Sequence, residues 1–240
     1  MDYVGEGVIS IKWLRGRVYE LLGSRLSLST IRSYLKAAGY RWKRMRNWLK
    51  TERDEGLFRF FEAELKLLKE LDEQDEIDLV FMDEVGFSLH PTVPYAWQPI
   101  GKRIGLPAQR GKNLTVMGCF QLDHTFEAYL FEGPMNAEAV KASIEHFVTT
   151  INKKTIMILD QASIHTSNLI KEQIPKWRQK GLYLQFLPAY SPELNLIEIL
   201  WKNIKHHWLP QQAYKSLEEL KQYLFDIFRN LGTEYRINFC

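Results

Sequence analysis

Two acidic residues stand at the ends of apolar segments that have the pattern of buried strands. The segment LVFMD ends on Asp83, and the segment IMILD ends on Asp160. If both strands belong to one sheet, two carboxylates face each other at short range, which requires a large pKa shift or a cation between them. Mg²⁺ prefers hard oxygen ligands and keeps water and phosphate oxygens in its other positions, so a few carboxylates suffice. The pattern therefore predicts a divalent-metal site.

Glu198 is the candidate for a third metal ligand. It lies among apolar neighbours in NLIEILWKNIK, and acidic residues are seldom buried without a partner. Lys202, four residues later, is an alternative partner that would give Glu198 a purely structural role. Glu84 faces the other side of the strand from Asp83 by the two-residue period, so we do not expect it to be a ligand. Three acids holding two ions predict in-line displacement at a phosphodiester without a covalent nucleophile.

The hydrophobic pattern predicts the elements that would carry these acids. We expect strands at IDLVFMDE, GFSLHP, LTVMGCFQLD, FEAYLF, TIMILD and LYLQFLP, and helices over residues 54–76, 136–151 and 167–180. Another helix is expected to begin at SPELNLIEILWKNIKHHW, with Ser191 as its N-cap and Pro192 at its first position. Consecutive strands followed by strand-helix-strand-helix indicate an α/β fold with a mixed sheet flanked by helices.

Positive charge is concentrated at the beginning of the chain. The 240 residues have a net charge of +3 and a composition typical of globular proteins, with 45% hydrophobic and 25% charged residues. Residues 1–50 carry 11 Lys and Arg against 3 Asp and Glu, whereas the remaining 190 carry 21 against 26. A basic head on a mildly acidic body suggests that the head binds a polyanion, although a solvated basic face is the simpler alternative.

The basic head has a helix-turn-helix pattern. The segment IKWLRGRVYELLG breaks at Gly23, and SLSTIRSYLKAAG begins at a plausible N-cap, Ser27, and ends at Gly39. The second helix could lie in a DNA major groove, with the following basic and aromatic stretch along the phosphates. The candidate DNA contacts in the head are Arg32, Lys36, Arg41, Lys43, Arg44 and Arg46.

Cysteine usage and hydropathy suggest a cytoplasmic protein. Cys119 and Cys240 are far apart and lack the spacing of a disulfide framework or a zinc site. No apolar run approaches the roughly 20 residues that a spanning helix needs, and the first ten residues have no signal-peptide pattern. We therefore expect no membrane partner.

Other classes of protein also place an aspartate after an apolar strand. A phosphatase of the aspartyl-phosphate type would need a DxD motif, which MDEVG lacks, and a receiver domain would be about half this length. A DNA-binding regulator without catalytic activity, in which Asp83 and Asp160 only end strands, fits the pattern as well. The residues alone leave that alternative open.

Several motifs in fixed order resemble the DDE transposases of the mariner-like superfamily, in their bacterial insertion-sequence branch. They are FMDEVGFSLHP, YAWQPIGKR, RGKNLTVMGCF, LDQASIH and LPAYSPELNLIEILWKNIK, and the resemblance extends over about residues 27–209. It implies a ribonuclease-H-like fold with Asp83, Asp160 and Glu198 as catalytic and metal-binding residues, and two Mg²⁺ or Mn²⁺ ions as cofactor. It also implies cleavage of double-stranded DNA at transposon ends and transfer of the freed 3′ hydroxyl into target DNA, at a TA dinucleotide.

The resemblance assigns further residues and a domain plan. Gln161, His165, Asn195 and Lys205 match motif positions near the site, where Gln161 replaces the family's usual Asn, and Lys102 and Arg103 belong to a loop that could touch DNA or a partner subunit. We expect a DNA-binding segment at 1–50, a linker helix at 51–76 and a catalytic domain at 77–240. The family normally has two helix-turn-helix units, so the head is expected to be incomplete.

These features together predict a transposase that acts as a homodimer on two DNA ends, associated with the bacterial nucleoid. Two other functions remain open at this stage. One is a degenerate or domesticated DNA-binding protein without catalytic activity, and the other is a generic ribonuclease-H-like nuclease that cuts DNA and never joins it.

Overall fold

The computed structural model describes residues 11–41, 53–90, 100 and 113–237. The chain divides into two units, Met1–Trp48 and Leu49–Cys240. Within the described ranges no helix is both long enough and apolar enough to cross a membrane. The division into segments 1–50, 51–76 and 77–240 stays a prediction.

The first unit contains two short helices, α1 (Ile11–Leu22) and α2 (Leu28–Ala37). Ser27 is the N-cap of α2, as the sequence predicts, and its hydroxyl accepts a hydrogen bond of 3.0 Å from the backbone N–H of Thr30. Gly39 has a φ of 86°, the left-handed conformation that commonly follows the end of a helix. Leu14 on α1 and Ile31 on α2 are buried.

The second unit is a five-stranded sheet with helices on both faces. Its elements, in chain order, are α3 (Glu55–Glu73), β1 (Asp78–Ser88), β2 (Asn113–Gln121), β3 (Phe126–Glu132), α4 (Ala137–Phe147), β4 (Thr155–Leu159), α5 (Asn168–Lys171), α6 (Ile174–Gln179), β5 (Leu182–Phe186), α7 (Ile197–Asn203) and α8 (Leu217–Arg229). Short 3₁₀ turns occupy Pro192–Leu194 and Gln211–Lys215, and a π-helical turn, Ile204–Trp208, continues α7.

The sheet is mixed, with strand order β3-β2-β1-β4-β5. β1 is antiparallel to β2 and parallel to β4, and β2–β3 and β4–β5 are antiparallel and parallel respectively. Alternate residues of β1 enter two hydrophobic clusters: Leu79 and Phe81 pack with α3, α7 and α8, while Val80 and Met82 pack with α4, α5 and α6. The prediction of an α/β fold with a mixed sheet flanked by helices is confirmed.

Three sequence-based boundaries are wrong. The two strands expected on either side of Gly86 are one strand, β1, because Gly86 pairs with Thr115 inside the ladder. The helix expected over 167–180 is two short helices, α5 and α6, with a proline in the first turn of α6. The helix expected from Pro192 begins at Ile197, and the Ser191 hydroxyl donates a hydrogen bond to the Ala189 carbonyl and does not cap a helix.

Candidate active site

The sheet brings Asp83 and Asp160 to neighbouring positions. Asp83 lies in β1, and Asp160 directly follows the last residue of β4. These strands are parallel and pair Phe81 with Ile158, so each acid stands two residues beyond the same rung of the ladder. Residues two apart on a strand share a face, so the two carboxylates lie on the same face of the sheet.

The environment of Asp83 opposes its ionisation. Burial, and then the negative charges of Glu198, Glu84 and Asp160, raise the pKa of the Asp83 carboxyl to about 8. Desolvation and like charge both disfavour a carboxylate, so a proton or a cation is needed to balance this cluster. Repulsion between Asp83 and Asp160, which the sequence suggested, is the smallest of these influences on the pKa of Asp83.

Glu198 reaches the cluster from α7. It lies one helical turn before the buried Trp201. It is exposed to solvent although Ile197 and Leu200 beside it are buried, so the apolar neighbours in the sequence do not enclose it. Partial burial raises the pKa of its carboxyl, against the influence of the Lys205 ammonium. The cation that acts on Glu198 is therefore Lys205, rather than the Lys202 that the helix spacing suggested.

Asn195 fixes the beginning of α7 to the strand that carries Asp83. Its side chain is buried and donates a 3.1 Å hydrogen bond from Nδ2 to the carbonyl of Met82, and its own carbonyl accepts from the backbone N–H of Glu198 at 3.1 Å. Asn195 thus links the residue before Asp83 to Glu198. Its Oδ1 is buried and has no hydrogen-bond partner within the described part of the chain.

A glycine in β2 allows α7 to approach the sheet. Gly118 is the cross-strand partner of Asp83, and a Cβ at residue 118 would lie 2.7 Å from Cη2 of Trp201 and 2.6 Å from Cε2 of Phe126. The Trp201 and Phe126 rings pack edge to face, with centroids 5.9 Å apart. Trp201 therefore packs directly on the backbone of Gly118, beside Asp83. This contact sets the distance between the sheet and the helix that carries Glu198.

Lys205 lies in the π-helical turn that follows α7. Burial lowers the pKa of its ammonium, while Glu198 and Asp83 act to raise it. The ammonium lies 5.6 Å from the centroid of the Phe87 ring. A cation is thus held beside the acidic cluster, in a helix type that is rare and frequently found at functional sites.

His165 connects Asp160 to Glu84. The imidazole is fully buried, with Nδ1 2.7 Å from Asp160 Oδ1 and Nε2 2.6 Å from Glu84 Oε1. Burial alone would lower the pKa of His165, but the hydrogen bonds and negative charges of Asp160 and Glu84 outweigh it and raise the pKa to about 10. The protonated ring therefore donates to both carboxylates, and its hydrogen bond lowers the pKa of Asp160.

The remaining predicted site residues lie in three places. Gln161 donates from Nε2 to the carbonyl of Leu187 at 2.9 Å and so joins the loop after β4 to the chain leaving β5. Arg32 and Lys36 are exposed on α2, and Arg41 is exposed nearby, with its guanidinium donating to the carbonyls of Lys36 and Tyr40. The other predicted DNA contacts lie outside the described residues: Lys43, Arg44, Arg46, Lys102 and Arg103.

The acidic cluster suits a hard divalent cation by its chemistry. As the side chains stand, the described part of the chain contains no group of three or more His, Cys, Asp or Glu arranged to hold a metal ion. The donor set nevertheless consists of carboxylates, the ligands that Mg²⁺ and Mn²⁺ favour. Burial raises the pKa of Asp83, and the negative charges of Glu198, Glu84 and Asp160 raise it further, so a cation bound by these carboxylates would offset part of that repulsion.

Sequence reasoning missed two residues that organise the site. The two-residue period correctly places Glu84 on the face opposite Asp83, but it does not reveal that Glu84 bonds His165 there. Gly118 was only part of a motif, although a glycine inside a strand often marks a close approach of another element. That signal was available in LTVMGCFQ.

A mixed sheet that carries acids on two adjacent parallel strands and on a helix is typical of metal-dependent enzymes that act on phosphodiesters. The sequence profile of the family described as DDE superfamily endonuclease matches residues 78–221, more than half of the chain. The chain belongs to this family, and its resemblance to the mariner-like DDE transposases is confirmed.

Individual relatives agree with this placement. The chain is 29% identical over 206 residues to the insertion element IS630 uncharacterized 39 kDa protein of Shigella sonnei, covering 80% of this chain and 56% of the relative. It spans about half the length of the curated relatives it matches.

Solved structures of Mos1 transposase share the fold. The paired-end complex with the left transposon end has a TM-score of 0.61 at 18% identity and covers 90% of this chain and 66% of that chain. The Mos1 mariner paired end complex with Mn has a TM-score of 0.59 at 19% identity and covers 88% and 65%. The ribonuclease-H-like fold that the sequence resemblance implied is thereby confirmed.

Proposed function

We propose that this chain is a transposase that cleaves DNA at transposon ends and transfers the freed 3′ hydroxyl into target DNA at a TA dinucleotide. The observation that carries the proposal is the placement of Asp83 and Asp160 two residues beyond the same rung of the parallel β1–β4 pair, with Glu198 on α7 close enough to act on Asp83. Burial, and then the charges of Glu198, Glu84 and Asp160, raise the pKa of Asp83 to about 8. Further support comes from the family, from sequence relatives that are named as transposases of transposable elements, and from a separate structural neighbour, Mos1, whose paired end complex was solved with Mn.

In this mechanism Asp83, Asp160 and Glu198 would hold two divalent cations, Mg²⁺ or Mn²⁺. Such ions would supply Lewis acidity for an in-line displacement at a phosphodiester. Asp83 provides a half-buried carboxylate fixed by the strand, while Asp160 and Glu198 are open to solvent and to substrate. Asn195 and Gln161 keep the elements that carry these acids in register through their bonds to Met82 and Leu187.

Lys205 is proposed to contact a DNA phosphate beside the cluster. Its ammonium acts on both Glu198 and Asp83, so it lies near the point where a phosphodiester must approach these acids. A cation there would reduce the repulsion between the DNA and the carboxylates. In the first unit, the exposed Arg32 and Lys36 of α2 are proposed to face DNA, with Arg41 beside them.

The chain is proposed to act as a homodimer that holds two DNA ends. Both Mos1 structures described above are paired-end complexes, which supports the pairing of ends for this fold. Because the chain spans about half the length of its curated relatives, the rest of such a protein would contribute to the recognition of specific ends.

A cleavage and joining assay with the full chain tests the proposal. The substrate is a plasmid carrying the DNA that flanks the coding sequence on both sides, incubated with a second target plasmid and Mg²⁺ or Mn²⁺. We expect metal-dependent nicking and strand transfer, abolished by Asp160→Ala with DNA binding retained. Glu172→Ala, which removes an exposed carboxylate at the end of α5, is the matched control and should behave as wild type.

Each other outcome favours a different function. Nicking without joining would indicate a generic nuclease of this fold. Salt-sensitive DNA binding without cleavage in either metal would indicate a DNA-binding protein that lacks catalytic activity. Cleavage retained in Asp160→Ala would contradict the role given to that residue.

A further inference from the structure

A buried histidine forms hydrogen bonds to two acids, one within a strand and one just after the neighbouring strand. His165 has no exposed side-chain surface, and its two ring nitrogens lie 2.7 Å from Asp160 Oδ1 and 2.6 Å from Glu84 Oε1. Glu84 belongs to β1 and Asp160 follows β4, so the histidine bridges the two strands that carry the central acids of the cluster.

The contacts divide the two oxygens of Asp160 into different environments. Oδ1 accepts from His165 Nδ1 and also from the backbone N–H of Ala162, at 2.9 Å. Within the described ranges no hydrogen bond is made to Oδ2 of Asp160. Because 53% of the Asp160 side chain is exposed, Oδ2 is the oxygen left for a ligand from solvent.

Glu84 keeps the histidine in this orientation. Its side chain is only 13% exposed, and its Oε1 accepts from the nitrogen of His165 opposite the one that meets Asp160. Without this acceptor, Nε2 of the buried ring would be an unsatisfied donor, and the ring could turn away from Asp160. Adjacent residues of β1 thus serve opposite faces: Asp83 belongs to the acidic cluster, and Glu84 fixes the histidine that holds the next acid.

We propose that Glu84 and His165 are positioning residues that lock the Asp160 carboxylate, with Oδ1 engaged by the protein and Oδ2 presented to a divalent cation. Carboxylates that ligate metals are themselves hydrogen-bonded, and loss of such an outer contact typically weakens metal affinity about 10–100-fold. The inference rests on the metal site of the proposed function. Beyond that function, it explains how Asp160 is oriented as a metal ligand. Glu84 takes part in this orientation although it is not itself a ligand.

The competing explanation is that His165 is a satisfied core residue whose contacts only stabilise the fold. Thermal stability cannot separate the two roles, because either predicts that damage to the contacts destabilises the protein. Affinity for a metal ion in the folded protein can separate them. Mn²⁺ alone is a suitable probe, because electron paramagnetic resonance measures the concentration of free Mn²⁺. The measurement requires neither DNA nor catalytic turnover.

The variants distinguish position from charge at residue 84. Glu84→Gln keeps an acceptor of the same length but removes the charge, whereas Glu84→Asp keeps the charge but withdraws the carboxylate by one methylene. If position matters, Glu84→Gln should bind Mn²⁺ within about threefold of wild type, and Glu84→Asp and His165→Gln should bind about 10–100-fold more weakly. All are compared at a temperature at which circular dichroism shows each variant folded.

His146→Gln is the matched control. His146 also pairs with a carboxylate, Glu127, through Nδ1 at 3.1 Å, but its side chain is 64% exposed and joins α4 to β3 away from the acidic cluster. Its substitution should leave Mn²⁺ affinity unchanged.

The outcomes separate failure of this inference from failure of the proposed function. If wild type binds Mn²⁺ and Asp160→Ala abolishes the binding, but Glu84→Asp and His165→Gln bind as wild type does, the positioning role is overturned and the metal site stands. Weaker binding by Glu84→Gln together with wild-type binding by Glu84→Asp would replace positioning by a charge effect and also overturn it. A wild-type protein that binds no Mn²⁺ would overturn the metal site and the positioning role together.

Discussion

Substitution of Gly118 by alanine should displace the helix that carries Glu198. An added Cβ would lie 2.6 Å from Phe126 Cε2 and 2.7 and 2.8 Å from two ring atoms of Trp201. Carbon atoms in contact prefer about 3.5–4.0 Å, so the rings must retreat by roughly 0.7–1.4 Å. Trp201 lies one helical turn after Glu198 on α7, and a shift of the ring moves that glutamate relative to Asp83, the cross-strand partner of residue 118.

Gly118→Ala is expected to lose most of its activity while it remains folded. Overpacking of a core typically costs about 1–3 kcal/mol, which leaves most of the protein folded, whereas a misplacement of about 1 Å near a reacting centre can cost on the order of 100-fold in rate. Urea unfolding and the metal-dependent nicking rate should be measured on the same preparations. The nicking rate of Gly118→Ala is expected to fall by about two orders of magnitude while the variant remains folded.

Gly86→Ala is the control for this experiment. Gly86 lies in β1 and pairs with Thr115, and a Cβ at residue 86 would meet no atom within 4 Å. It should retain wild-type stability and activity. Wild-type nicking by Gly118→Ala would refute the reasoning that the contact between Trp201 and the sheet sets the position of Glu198.

Three further predictions concern titration, reactivity and DNA binding. The pKa of Asp83 is about 8 in the folded metal-free protein and about 4 in an unfolded chain, so the folded state retains a proton that the unfolded state releases, and stability should fall as pH rises through this interval. Urea titrations at pH 5 and pH 8 should show this loss in wild type and a smaller one in Asp83→Asn; an identical loss in both would exclude Asp83 as its source. Burial raises the pKa of the Cys119 thiol, so iodoacetamide at pH 8 should modify Cys119 only when the protein is unfolded. Peptide mass spectrometry measures the modification, and equal modification of the native chain would contradict the burial of Cys119. Lys205→Gln should weaken DNA binding and reduce the slope of log affinity against log salt by about 1 in fluorescence anisotropy, whereas an unchanged slope would argue against a phosphate contact.

The parts of the fold that depend on local pattern could be predicted from the sequence. The apolar runs before Asp83 and Asp160 indicated buried strands, and the order of strands and helices indicated a mixed sheet. The Ser27 cap of α2 was also predictable, because capping depends on a few adjacent residues. These features bring the two central acids into one sheet, where the structure places them on neighbouring strands.

The parts that depend on distant contacts could not be predicted. Glu84 and His165 are 81 positions apart, and no local pattern reveals that they bond. The helix after Ser191 begins later than its proline and serine suggest, because Asn195 adopts an extended backbone and its side chain bonds the carbonyl of Met82, 113 positions away. Tertiary hydrogen bonds override local signals at this point and set where Glu198 lies.

Anomalous diffraction from crystals of the full chain grown with Mn²⁺ would reveal directly whether the three carboxylates bind metal ions. Two peaks about 4 Å apart are expected, bound by the carboxylates of Asp83, Asp160 and Glu198, with Asp160 ligating through Oδ2 and Oδ1 still bonded to His165. An absence of anomalous density at these three carboxylates at saturating Mn²⁺, in ordered crystals, would contradict the metal site.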